Sequence, residues 1–195
     1  MVRGSDGSEA VTDPVTSLTI FHPPGHVQVT PGNPFGKDIA NSGLFRSLAR
    51  HGGYSALNVL HQSRASAEQL GLEFYPPGGP QAQLCTGSLR NTALPAHSGV
   101  MLRGQPYLSE LAWLRRSAGP DPSRADAAYS LAGLIHTIAP PAIREQMAAA
   151  ALAPVQPWDA FICTSPAVQA AMEQLFERQA AHFHERLGAS RAPRP

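Results

Sequence analysis

The sequence predicts an α/β fold, a parallel sheet with crossover helices in a single domain, and three observations carry that prediction. Tyr129 to Ile138 is a mostly apolar run that Pro140-Pro141 stops before an Ala-rich helix reaching about Leu152. Trp158 to Cys163 is a second apolar run, followed by Thr164-Ser165 and a long amphipathic helix. Two such strand–helix units in tandem are the signature of a parallel sheet. The third observation is an earlier unit of the same kind, a strand at Ser17 to His22 leading into a helix after Lys37. In open parallel sheets ligands sit beyond the carboxyl ends of the strands. Function is therefore sought near His136-Thr137 and Thr164-Ser165.

The first strand ends at Pro23-Pro24-Gly25. Beyond the loop Pro31 to Lys37, Asp38 is the expected helix N-cap. Leu44 with Leu48, and Phe45 with Ala49, have the spacing of one helix face, and Gly52-Gly53 supplies the stop. Tyr54 to Leu60 reads as the second strand, with Ser63 or Ser66 capping a short helix over Ala67 to Leu70. Phe74 to His97, broken by Pro76-Pro77-Gly78-Gly79-Pro80, resists assignment beyond room for one short strand. Gly99 to Leu102 fits a strand or a helix start, and Ser109 to Arg116 a helix. Gly119-Pro-Asp-Pro-Ser123 interrupts the chain. In the last helix Ser165 suits the N-cap, Pro166 the first helical position and Gly188 the end. Val168, Ala171, Met172, Leu175, Phe176, Phe183 and Leu187 form its apolar stripe. Residues 1–16 are expected to be a disordered tail, 17–188 the domain, and 189–195 a truncated linker.

Composition narrows the function classes. The 195 residues include 43% apolar and 15% charged side chains, which is enough for a core. A net charge of +1 gives no electrostatic case for nucleic acid or an anionic membrane. No apolar run is long enough to span a bilayer, and Met1 to Asp13 lacks the apolar core of a signal peptide. Cys85 falls in a loop-like stretch and Cys163 in a strand expected to be buried, where a core thiol is the ordinary reading. There is no CxxC, and a reducing cytoplasm fits the cysteine usage.

Among candidate sites, the loop entering the first helix offers backbone N–H groups and a helix dipole to an anion, with Gly36 permitting close approach and Lys37 adding charge. It matches no dinucleotide or Walker pattern, and an ordinary strand-to-helix loop is the simpler reading from spacing alone. His136 at a strand end would position a substrate or donate a hydrogen bond; a structural histidine is the alternative. Capping alone explains Ser165. His182 and His184 are two apart on a helix and cannot share one metal, and Glu177 and Glu185 read as surface charges. No metal site is expected. A GxSxG elbow is absent, so a serine hydrolase is excluded.

Three segments, Asn33-Pro-Phe-Gly-Lys-Asp-Ile-Ala-Asn-Ser-Gly-Leu-Phe45, Gly133-Leu-Ile-His-Thr-Ile138 and Pro157-Trp-Asp-Ala-Phe-Ile-Cys-Thr-Ser165, resemble the N-terminal half of GT-B glycosyltransferases. The closest group is the glycogen-synthase-like, retaining "group 1" transferases, and the resemblance runs in order through most of residues 17 to 190. It implies a Rossmann-like acceptor-binding domain that acts on a nucleotide-sugar donor and a hydroxyl acceptor, with no cofactor and no bound metal. It places Gly36 and Lys37 at the donor diphosphate, His136 near the transferring sugar, and Asn33, Asp38, Thr137, Thr164 and Ser165 along the cleft. Two departures stand out. The family's first loop often has adjacent glycines, where this chain has Pro34-Phe35-Gly36-Lys37. The family's C-terminal domain, with its two glutamates seven residues apart, has no counterpart here; Glu177 and Glu185 share that spacing by coincidence. The resemblance thus implies a fragment inactive alone, completed by the missing domain or a partner chain. The alternative is a stand-alone, non-catalytic binding module.

Overall fold

A computed structural model describes residues 16–21, 36–62 and 82–188. Six strands lie in it: β1 (Ser17–Phe21), β2 (Ala56–His61), β3 (Gln83–Ser88), β4 (Val100–Arg103), β5 (Ser130–Ile135) and β6 (Ala160–Cys163). Every pairing is parallel and the order is β3-β2-β1-β4-β5-β6. The chain thus winds outward from β1 to β3, returns past its start to β4, and winds outward again. This is the Rossmann-like doubly wound order, with its topological switch between β1 and β4. The helices are α1 (Gly36–His51), α2 (Ala93–Ser98), α3 (Leu108–Arg116), α4 (Pro122–Asp126), α5 (Pro141–Ala148) with a 3-10 turn at Ala149–Leu152, and α6 (Pro166–Leu187).

Strand alternation sorts the side chains between two faces. Leu18, Ile20, Leu57, Val59 and Leu102 meet Phe45 and Ala49 of α1 on one face. Phe21, Leu60, Met101 and Leu131 meet Leu108, Leu111 and Ala112 of α3 on the other. At the β6 end Ile135 packs with Met147 of α5 and Met172 of α6. A buried polar stitch joins β1, β2 and α2. The Ser98 hydroxyl donates to the Leu94 carbonyl (3.1 Å), so it accepts from Asn58 Nδ2 (3.0 Å) and from Thr19 Oγ1 (2.7 Å).

The fold class, the last helix's caps and the main strands stand as expected. Ser165 Oγ accepts from Val168 N and Gly188 closes α6 with φ 64°. Several details differ. Asp38 is no N-cap, because α1 already begins at Gly36 and places it in the first turn, where a carboxylate complements the helix dipole. Cys85 lies on strand β3 rather than in a loop. Cys163 is half-buried rather than a core thiol, because β6 is an edge strand. The two cysteines stand at opposite edges of the sheet, five strand spacings or roughly 24 Å apart, beyond disulfide reach. The Gly119–Ser123 break includes the start of α4, which Asp121 caps by accepting from Ser123 N and Arg124 N. Phe183 and Leu187 belong to none of the core clusters among the described residues, and Leu187 is exposed. The tail, the Pro31–Phe35 loop with Asn33, the helix expected near Ala67, the Pro76–Pro80 stretch and the linker after Gly188 lie outside the described residues.

Candidate functional site at the switch point

Because all strands run the same way, β1, β4 and β5 deliver their successors to one edge. There the first turn of α1, Gly104 after β4 and His136 after β5 come together. Helical spacing turns Asp38, Asn41 and Ser42 inward above Phe45, so the buried stripe of α1 is polar for its first two turns. Asn41 is completely buried.

Asn41 is the hub. Its Nδ2 donates to the Gly104 carbonyl at 3.1 Å. His136 Nε2 lies 2.8 Å from Asn41 Oδ1 and 3.1 Å from the same Gly104 carbonyl. Both are acceptors, so Nε2 carries the proton and donates to them. Glycine is required at 104 by the close approach, since a Cβ there would stand 2.5 Å from Asn41 Oδ1. Burial is the main influence on the His136 pKa and pushes it below the ordinary histidine value. The hydrogen bond to Gly104 opposes this, the nearby Lys37 ammonium reinforces it, and Asp38 opposes it. The ring is therefore neutral at pH 7. Lys37 Nζ pairs with Asp38 Oδ1 at 2.6 Å.

The structure thus brings His136, Lys37 and Asp38 together with Asn41 and Gly104. Gly36 opens α1 with free space where a Cβ would stand, so nothing among the described residues requires glycine there. Thr137 is exposed and accepts from Ala139 N at 3.2 Å. Thr164 Oγ1 donates to the Ile135 carbonyl at 3.1 Å, holding the ends of β5 and β6 together, while Ser165 caps α6. These three hydroxyls make local backbone bonds and none joins the His136 cluster. Sequence reasoning missed Asn41 and Gly104. The available signal was the polar Asp38–Asn41–Ser42 stretch on the apolar face of α1.

Two further groups line the same edge. Arg103, at the end of β4, is buried between the Phe21 and Tyr107 rings and bonds Glu110 at 3.0 Å. Desolvation lowers its pKa and the Glu110 partner counteracts this. His61, at the end of β2, has a buried Nδ1 with no partner among the described residues. Among the described residues no three His, Cys, Asp or Glu side chains converge as a metal site. A cleft of about 410 Å³ opens at the opposite, amino ends of β4 and β5, walled by Ala93, Ala96, Gly119, Ala125 and Tyr129, and holds none of the predicted site residues.

No family model, no curated protein and no solved structure matches this chain. The fold and the geometry therefore define the class: a Rossmann-like α/β domain with a neutral histidine held at its switch point. Among the described residues no helix is long and apolar enough to cross a membrane.

Proposed function

We propose that the chain is the acceptor-side domain of a GT-B nucleotide-sugar glycosyltransferase, inactive without a donor domain. One observation carries the reading: a helix N-terminus with Lys37 and a neutral, anchored His136 converge where open α/β sheets bind ligands. In this reading the first turn of α1 and Lys37 stabilise the departing diphosphate electrostatically. His136 makes a directional contact to a sugar hydroxyl without carrying charge. The acceptor hydroxyl attacks the anomeric carbon in the cleft that the second domain closes. In this reading Asp38, Thr137, Thr164 and Ser165 belong to the walls of that cleft, as does, by the resemblance alone, Asn33, which lies outside the described residues.

The test is a turnover assay of the purified chain with a panel of nucleotide sugars, beside a binding titration with the same panel. Binding without transfer is the expected result. Robust transfer by the chain alone would sink the fragment reading, and no binding by any member would sink the donor reading. The exposed apolar side chains Leu152, Ile162 and Leu187 favour the second reading, a non-catalytic module that docks on a partner. Sedimentation analysis decides its self-associating form, which a strictly monomeric protein at high concentration contradicts.

A further inference from the structure

We propose that Asn41 is a positioning residue that locks His136 in its Nε2–H tautomer, so that the site presents the acceptor Nδ1 to a hydroxyl-bearing ligand. The inference deepens the sugar-transfer reading by naming the atom that meets a hydroxyl, and to that extent rests on it. The lock itself stands on geometry alone.

Three hydrogen-bonding groups constrain one another. The Gly104 carbonyl has no proton, so Asn41 must turn its Nδ2 toward it and its Oδ1 toward the imidazole. A flipped amide would set Oδ1 against the carbonyl, two acceptors face to face. With the amide fixed, His136 Nε2 meets two oxygens at 2.8 and 3.1 Å and must supply a proton to them. A neutral imidazole has one proton, so Nδ1 is left as a lone-pair acceptor. Nδ1 makes no hydrogen bond to any described residue. Asn41 is completely buried, so water cannot replace its oxygen, and its amide fills the space that a Cβ at position 104 would occupy. The complementary ligand group is a hydrogen-bond donor, and an alcohol is one such group.

The experiment is nitrogen NMR of the imidazoles in the ¹⁵N-labelled full chain, with His136 assigned by comparison with H136Q. In the ligand-free protein the expected pattern is protonated Nε2 and bare Nδ1; an Nδ1–H tautomer overturns the lock. In Asn41→Leu the Nε2 proton should exchange with water about tenfold faster, the effect of losing one such hydrogen bond. Asn41→Asp keeps the acceptor toward the ring, though it sets its second oxygen against the Gly104 carbonyl, and should retain the slow proton while raising the titration midpoint of the ring. If Asn41 merely ties α1 to β4 through Gly104, Asn41→Leu leaves the His136 signals unchanged, and that overturns the proposal. Should Asn41→Leu fail to fold, the wild-type and Asn41→Asp spectra decide. UDP-glucose and free glucose are then added in turn as probes. A shift of Nδ1 supports the hydroxyl assignment. An unmoved Nδ1 while other residues of the site respond overturns that assignment alone. No response anywhere counts against the donor-sugar reading and leaves the ligand-free tautomer result standing.

Discussion

Replacing Arg115 by methionine should be among the most damaging single changes in this domain. Arg115 and Asp159 are both fully buried and joined by two parallel bonds of 2.7 Å. The guanidinium also donates to the carbonyls of Tyr129 (2.7 Å) and Pro154 (3.2 Å). The carboxylate accepts from the backbone N–H groups of Leu131 and Gln156, both at 2.7 Å. One ion pair thus ties α3 to the start of β5 and to the turn before β6. Removing the cation strands a carboxylate in the core, at a cost of about 3–5 kcal/mol. The Tyr129 carbonyl also loses the Arg115 donor, which pushes the cost toward the upper figure, while Pro154 keeps its bond from Gln156 Nε2. A domain of this size has about 5–15 kcal/mol of stability in all. The melting temperature should fall by about 6–20 °C, with a matching drop in the urea midpoint. Arg124→Met is the internal control. Its pair with Asp121 spans 3.7 Å between exposed side chains, and the midpoint should not move. An Arg115→Met protein within about 1 kcal/mol of wild type, the range of a solvated surface pair, would refute the reasoning.

Among the described residues the buried Tyr129 hydroxyl has no partner, and burial pushes its pKa up to about 12. Tyr129→Phe should therefore be neutral or stabilising in urea melts. Because the unfolded phenol ionises near the ordinary value of about 10, wild-type stability should fall as pH rises above 10, and the variant should lose less. Gly104→Ala drives a methyl group to 2.5 Å from Asn41 Oδ1 and should cost about 1–3 kcal/mol by overpacking, read as a lower urea midpoint. The depressed His136 pKa gives a slope of the opposite sense. The unfolded chain takes up the proton first, so stability declines as pH falls through about 6.5. A His136→Gln variant should show a shallower decline over the same range.

The legible part of this molecule was its alternating rhythm. The apolar runs at Ser17, Tyr54 and Tyr129 became inner strands, because a parallel strand buried on both faces reads as a continuous apolar stretch, and the run at Trp158 became the edge strand β6. Strand β3, the one short strand for which Phe74 to His97 had room, could not be placed, since Gln83-Leu-Cys-Thr-Gly-Ser88 is an edge strand without that signature. Cys163 was misjudged for the same reason, as sequence alone does not distinguish an edge from a centre. His136 and the Lys37 turn were found because strand ends and helix starts are marked by composition. Asn41 and Gly104 were not, because their meeting depends on a contact between residues 63 apart in sequence. The Arg115–Asp159 tie, 44 residues apart, was hidden in the same way.

The central claim is that ligands enter at the switch point and that a nucleotide sugar is among them. The most direct measurement is amide chemical-shift mapping of the ¹⁵N-labelled chain during titration with UDP-glucose, GDP-mannose and ADP-glucose. At least one of them should perturb Lys37, Asp38, Asn41, Gly104 and His136 together, in a saturable manner that His136→Gln weakens. Perturbations confined to the cleft beside Ala96 and Tyr129 at the amino ends of β4 and β5, or none with any donor, would contradict the account.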